Sequence, residues 1–311
     1  MKVFHSINQF ESKSKTIVTL GTFDGVHVGH KKIIERLLLS AKELKCESLV
    51  LTFFPHPRMV LQKDSDVKLL NTIEEKSDLL AKTGLDNLVI HPFDQAFSRL
   101  TAEEFVKNIL VDAFNIKKII IGHDHRFGRN RTANIDDLIA FSKIYDFEVE
   151  QISVQEINDV AVSSTKIRNA ILNGNIELAN TYLDYKYSFE GKIVKGKQLG
   201  RTIGFPTANF ELENNYKLIP ENGVYVIESQ LNKKMFFGMM NIGFNPTVSG
   251  NAKTIEVYYF DFDGDLYNKK ISVSILHRLR SEQKFDSLEA LKKQLNLDKS
   301  ASLDFIETNK N

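Results

Sequence analysis

Hydrophobic and polar positions follow two different patterns along this chain. In the first, short continuous apolar runs alternate with stretches whose apolar residues recur at helical spacing. The runs at 16–20, 48–54, 88–90, 118–121 and 147–154 read as buried strands. Between the first two, Ile33, Ile34, Leu37, Leu38, Ala41 and Leu44 mark one helical face. Thr72 can cap a helix over 73–81, with Glu75 at the capping-box position. Thr101 to Glu104 opens a helix carrying Phe105, Ile109 and Leu110, and 134–145 and 175–183 are also helical. Continuous rather than alternating apolar strands, each followed by a helix, predict a parallel sheet covered on both faces. Ligands of such sheets bind beyond the carboxyl ends of the strands.

Near Tyr185 the pattern changes to short strands with turn signals. Candidates are 188–194, 207–212, 223–228, 234–240, 254–260 and 270–276, with Asn222-Gly223 and Asp263-Gly264 as hairpin-type punctuation. Strands so regularly spaced predict a small closed antiparallel barrel. Leu288, Leu291 and Leu295 then share a face of a closing helix over 287–295. The expected domains are 1–183 and 184–311.

Composition narrows the class. Hydrophobic residues make up 42% of the 311 and charged residues 26%, as in folded globular chains. The net charge of +1 gives no overall field toward nucleic acid or a membrane surface. The single Cys46 excludes an internal disulfide and fits a reducing compartment. No apolar run approaches the roughly 18 residues of a membrane span, and the first residues lack a signal-peptide core. The expectation is a cytoplasmic enzyme, monomeric by default, with small-molecule substrates.

Candidate chemistry gathers at strand ends. Gly21-Thr22-Phe23-Asp24-Gly25-Val26-His27-Val28-Gly29-His30 lies between a strand and a helix. Such a turn points free N–H groups and a positive dipole end at whatever sits above the strand. A shared helical turn would put His27 and His30 on one face, suited to a phosphorylated ligand. Zinc fits poorly, since no full set of Cys and His ligands is near. Pro55 to Arg58 and Gly122 to Gly128 fall at the same sheet edge. Val162-Ser163-Ser164-Thr165-Lys166-Ile167-Arg168 begins a helix, where hydroxyls either cap N–H groups or bind phosphate.

A second site is suggested by 196–209, Gly-Lys-Gln-Leu-Gly-Arg-Thr-Ile-Gly-Phe-Pro-Thr-Ala-Asn. Its glycines and basic residues suit a loop over nucleotide phosphates, but it lacks the P-loop ending. Thr207 and Asn209 alternate on a strand and so share a face. A hydroxyl and an amide oxygen there can hold Mg²⁺ with phosphates and water, or simply make surface hydrogen bonds. In Thr254-Ile255-Glu256-Val257-Tyr258, Glu256 faces away from Ile255 and Val257, and the strand alone reads as having that face in water.

Taken together these motifs resemble the bacterial bifunctional riboflavin kinase/FAD synthetase family, almost end to end. The His-x-Gly-His and Ser-Ser-Thr-x-Ile-Arg segments are similar to its adenylylating half, and Gly-x-Pro-Thr-Ala-Asn to its kinase signature. Gly223-Val224-Tyr225, 241–247, Ile255-Glu256-Val257 and 279–285 follow in family order. The resemblance implies a Rossmann-like α/β nucleotidyltransferase domain followed by a six-stranded barrel with a C-terminal helix. It implies riboflavin, FMN and FAD as substrates or products, ATP as co-substrate and Mg²⁺ as cofactor. In the first domain it implies ATP or phosphate contacts by Gly21, Phe23, Asp24, Gly29, Ser164 and Thr165. His27, His30 and Arg168 would be catalytic. Asp124 would be a flavin contact or a turn residue. In the second it implies nucleotide contacts by Gly196, Lys197, Gly204, Pro206, Thr207 and Asn209. There Glu256 would be the base, Thr207 and Asn209 would hold the metal, and Arg280 and Phe285 would meet the flavin. Asn268 departs from the glycine usual in the family, though asparagine tolerates the same left-handed turn. His123 and His125 depart as well and carry no assigned role. Two alternatives stand beside this reading: a nucleotidyltransferase for another phosphorylated acceptor, and a flavin- or RNA-binding regulatory barrel.

Overall fold

The computed structural model describes residues 1–62, 67–122, 126–152, 162–195, 200, 203–247 and 250–309, with backbone alone at 131, 245–247 and 250–252. Two compact units divide it, 1–164 and 165–311.

The first unit is built on six parallel strands: β1 (Lys2–Phe4), β2 (Thr16–Leu20), β3 (Glu47–Phe53), β4 (Asn87–His91), β5 (Ile116–Gly122) and β6 (Glu148–Ile152). Their order across the sheet is β1-β4-β3-β2-β5-β6, and every pair is parallel. Neighbouring residues on one strand enter opposite cores. Val18, Leu49, Leu51, Val89, Ile119 and Ile121 pack on one face. Ile17, Val50, Leu88, Ile90 and Ile120 pack on the other. Continuous apolar strands are what a sheet buried on both faces requires. The chain leaves β2 in one direction toward β3 and reaches β5 on its other side, so the sheet reverses between β2 and β5. The loops after these two strands therefore flank the crevice where open α/β sheets bind ligands.

Helices α1 (Val28–Leu44), α2 (Pro57–Leu61), α3 (Ile73–Ala81), α4 (Ala102–Glu104, continued as a π-helix over Phe105–Ala113) and α5 (Ile135–Tyr145) connect the strands. The capping box forms as the sequence predicts: Glu75 N donates to Thr72 Oγ1 at 3.2 Å and Thr72 N to Glu75 Oε2 at 3.0 Å. The edge strand β1 is not evident from the pattern, because Lys2 and Val3 are exposed and Phe4 only half-buried, too little burial to leave one.

Helix α6 (Ser164–Leu172) leads into the second unit. There α7 (Ile176–Leu183) precedes β7 (Ser188–Val194), β8 (Ala208–Leu212), β9 (Gly223–Leu231), β10 (Lys234–Thr247), β11 (Gly250–Tyr259) and β12 (Lys270–Arg280), and α8 (Leu288–Thr308) closes the chain. The strands form a closed barrel in the order β10-β11-β8-β7-β12-β9. One helix face of α8 covers it, with Ile306 in a cluster with Phe205, Val224, Val226, Met239 and Phe260.

One turn differs from the sequence reading. Asn222-Gly223 is not a hairpin turn. Gly223 opens β9 at φ +157, and a side chain there would meet the Arg280 carbonyl at 2.5 Å. The β9–β10 hairpin instead turns on Asn232 and Lys233, at φ 51 and 65, the double left-handed geometry of a type I′ loop. By compactness the chain divides between Ser164 and Thr165, so α7 is grouped with the barrel. Asn180 accounts for part of this, because its side chain donates to the Ile275 carbonyl and accepts from Tyr187 N. Asn268 takes φ 62, the left-handed turn expected of it.

Candidate active sites

In the first unit the glycine-rich loop sits at the sheet's reversal. Gly21 N extends the ladder to the Leu51 carbonyl at 3.1 Å. A turn then closes from Val26 N to the Phe23 carbonyl at 3.2 Å. Gly25 takes φ 91 at its third position, where a type II turn needs glycine. Phe23 and Val26 are also left-handed, at φ 45 and 37. For a β-branched valine that is a true outlier and marks a loop held in a strained shape by its surroundings. A side chain on Gly21 would come within 3.3 Å of the Phe23 ring, so glycine there makes room for the buried ring.

The loop delivers its chain to α1 with His27 as the N-cap, and the cap side chain makes no hydrogen bond to the first turn. The first N–H groups of a 17-residue helix are thus left for an anion. His27 and His30 stack with ring centroids 3.7 Å apart, and Phe23 lies 5.0 Å from His30 on its other side. Among the described residues, the buried Nδ1 atoms of both histidines have no hydrogen-bond partner. Burial lowers His27 to about 4. His30 is also held well below its ordinary value, by burial first and then by His27 and Lys76. Near neutral pH the pair is uncharged and able to offer N–H groups or accept a proton.

Asp24 is buried and integral to the loop. Its Oδ1 accepts from Leu70 N at 2.9 Å and Asn71 N at 3.3 Å. Ser164 Oγ donates to the Asp24 carbonyl at 2.9 Å, so the Ser-Ser-Thr segment is brought to this loop. Gly29 is buried on the first turn of α1, while Thr165 is exposed and Arg168 half-buried on α6, within the second unit. Asp124, His123 and His125 lie outside the described residues.

Lys76, which the motifs do not mark, lies against the glycine-rich loop. It follows Ile73 by three positions on the buried face of α3 and is only 3% exposed. Its Nζ donates to the Thr22 carbonyl at 2.8 Å and approaches Thr52 Oγ1 at 3.5 Å. The one signal for it in the sequence is a charge standing at an apolar-face position.

In the second unit the candidate residues meet on the barrel's outer face. Ile255 and Val257 are buried on the opposite face of β11. Glu256 is half-buried and pairs across the strands with Asn209 on β8 and Asn241 on β10. Residues directly opposite on one sheet face have neighbouring side chains, so Asn209, Glu256 and Asn241 form a polar row. Thr207 Oγ1 donates to Glu256 Oε2 at 3.0 Å. The Gly200 carbonyl accepts from Ile203 N and Phe205 N, which folds the loop back before Thr207. A side chain on Gly200 would strike the Phe205 carbonyl at 2.1 Å. Gly204 takes φ +85, and Pro206 is exposed. Gly196 and Lys197 lie outside the described residues.

At the other end of this face Arg280 forms a bidentate pair with Asp298 of α8, at 2.9 and 2.7 Å. Asp298 is buried and also accepts from Gln294. The guanidinium carbon lies 5.8 Å from the centre of the Phe285 ring. Glu282 accepts from Phe244 N at 3.1 Å and from Asn222 Nδ2 at 3.0 Å. A side chain on Gly243 would strike Glu282 Oε1 at 2.2 Å, so segments 222–225, 241–247 and 279–285 converge through Glu282.

An anion-ready helix start at a sheet reversal, and a hydroxyl–amide–carboxylate row on a closed barrel, define a two-domain transferase built for nucleotide phosphates. Comparison with known proteins makes this particular. The family model for FAD synthetase matches residues 9–166 and that for riboflavin kinase residues 183–306. A bifunctional riboflavin kinase/FMN adenylyltransferase of Buchnera aphidicola subsp. Schizaphis graminum is 37% identical, covering 96% of each chain. One of Escherichia coli K12 is 34% identical over 97% of this chain and 96% of that one. A solved structure from Streptococcus pneumoniae, described as a macrolide-efflux protein, is 31% identical with a TM-score of 0.87, over 97% of this chain and 98% of that one. Among the described residues no helix is long and apolar enough to cross a membrane. The chain belongs to the bifunctional riboflavin kinase/FMN adenylyltransferase family.

Proposed function

We infer that this chain makes FAD from riboflavin in two ATP-dependent steps, one in each unit. What carries the inference is that both family models match in one chain, one over each candidate site. An acceptor other than FMN for the first unit is disfavoured by the riboflavin kinase match beside it.

In the second unit the terminal ribityl hydroxyl of riboflavin attacks the γ-phosphorus of ATP. The bond to the bridging β–γ oxygen breaks and ADP leaves. Glu256 takes the hydroxyl proton, and its hydrogen bond from Thr207 orients it. The oxygen donors of Thr207 and Asn209 fit a hard cation that keeps phosphate and water ligands, so they would hold Mg²⁺. A cation held there would supply positive charge against the transferred phosphoryl group. Arg280, fixed by Asp298, holds Phe285 at the flavin end.

In the first unit a phosphate oxygen of FMN attacks the α-phosphorus of a second ATP. The bond to the bridging α–β oxygen breaks and pyrophosphate leaves. The nucleophile is already ionised at neutral pH, so no strong base is needed and positioning with charge stabilisation suffices. The N–H groups of Val28, Gly29 and His30 and the imidazoles of His27 and His30 meet the triphosphate. Gly21, Phe23, Asp24 and Ser164 shape the loop that presents these groups. The single Cys46 and the water-soluble substrates support a cytoplasmic enzyme. The test is separation of function: a lesion in one unit should stop one step only.

A further inference from the structure

Lys76 is the one buried lysine or arginine of the first unit among the described residues. An unpaired buried ammonium is costly, so its position needs a reason. It reaches from α3 under the glycine-rich loop to the Thr22 carbonyl at 2.8 Å. Thr52, at the end of β3, donates to the same carbonyl at 3.1 Å and stands 3.5 Å from the ammonium. Two residues further along the loop is Asp24, whose carboxylate is fixed by the N–H groups of Leu70 and Asn71. The clamp therefore ties α3, the end of β3, the segment leading to α3 and the strained loop into one body.

We propose that Lys76 is a positioning residue for FMN adenylylation: clamped to Thr22 and Thr52, it holds the loop in its strained shape and supplies the fixed positive charge beneath it. The proposal rests on the adenylyltransferase reading of this unit. Stacked, buried and neutral, the two histidines carry no charge of their own near pH 7, yet the loop must receive a triphosphate. A lysine that touches no substrate can still meet that need through the loop it braces, because a buried charge is weakly screened. The groups facing it are Asp24 on the loop and His30 on α1. Burial brings the ammonium down to about 8, with Asp24 opposing the fall. Above that pH the amine becomes neutral and Asp24 loses its counter-charge.

The test uses the full-length chain with supplied FMN, ATP and Mg²⁺, and with riboflavin in a parallel reaction. Lys76→Met should lower kcat/KM for adenylylation at least tenfold at pH 7 while riboflavin phosphorylation stays unchanged. The native protein should lose adenylylation rate above about pH 8, where the FMN phosphate is already fully ionised. That basic limb should be missing from Lys76→Met. A merely structural lysine would not move the limb. Thr52→Val removes one arm of the clamp and should lower the rate several-fold with the limb retained. Normal adenylylation by Lys76→Met, or a basic limb that survives the substitution, overturns the proposal. If Lys76→Met fails to fold, Thr52→Val decides, and a normal rate there overturns it. Failure of the native protein to make any FAD would instead refute the adenylyltransferase reading itself.

Discussion

Replacing Glu256 by glutamine separates the chemistry of the barrel site from its architecture. The side chain keeps its shape, and the burial that holds β11 in place belongs to Ile255 and Val257 on the other face, at 5% and 1% exposure. What changes in the fold is one hydrogen bond, from Thr207 Oγ1 to a charged oxygen at 3.0 Å. A bond to a charged partner is worth about 1.5–3 kcal/mol and a neutral one about 0.5–1.5, so the fold should lose roughly 1 kcal/mol. In a unit of this size that is a shift of about 2–4 °C in Tm. The chemical loss is larger, because a positioned base contributes about 10²- to 10⁴-fold. Glu256→Gln should therefore slow FMN formation at least roughly tenfold, a barrier increase of about 1.4 kcal/mol or more. The assay is the initial rate of FMN production from riboflavin by chromatography, beside adenylylation of supplied FMN and a melting curve for the same preparation. Near-normal FMN production would return Glu256 to a solvated face and leave the kinase without a base. Equal loss of both reactions would show that the substitution acts through the fold.

His27→Ala or His30→Ala should cut FMN adenylylation on the order of 10²-fold while riboflavin phosphorylation continues, so that FMN accumulates in place of FAD; equal loss of both in folded protein would contradict the site. The first unit should lose stability as pH falls from about 6.5 toward 4. His27 titrates near 4 when folded and near 6.5 when unfolded, so the unfolded chain binds more protons in that window and acid favours it. Thermal melts across that range should show the decline, and His27→Gln should flatten it. A fragment of residues 165–311 should fold and phosphorylate riboflavin. One beginning at 184 lacks the Asn180 bonds to Tyr187 and Ile275 and should melt on the order of 5 °C lower; equal melting of the two fragments would show that α6 and α7 add nothing to the barrel.

Much of this was legible in the residue pattern, for physical reasons. A sheet buried on both faces needs unbroken apolar strands, so β2 to β6 announce themselves. The capping box at Thr72 and Glu75 is a local exchange of hydrogen bonds that three residues of spacing specify. The barrel strands were legible from their turn signals and spacing, although β8 begins at Ala208, one residue after Thr207. Other features depend on contacts distant in sequence. Helix α8 runs to Thr308, well beyond the apolar stripe ending at Leu295, because buried Asp298 and Ser302 interrupt that stripe. Asp298 is tolerable there only because Arg280, brought in from β12, pairs with it. Lys76 looks like a solvated charge until the fold sets the Thr22 carbonyl above it. Asn241 joins Glu256 through strand register alone. Asp24 resembles an open ligand until the N–H groups of Leu70 and Asn71 arrive to bind it.

The central claim is that one chain carries both steps. Its most direct test is incubation of the purified protein with riboflavin, ATP and Mg²⁺, followed over time by chromatography of the flavins. FMN should appear first and then give way to FAD, with pyrophosphate released in step with FAD. Riboflavin left unconverted, or FMN that accumulates without FAD while ATP remains, would contradict it.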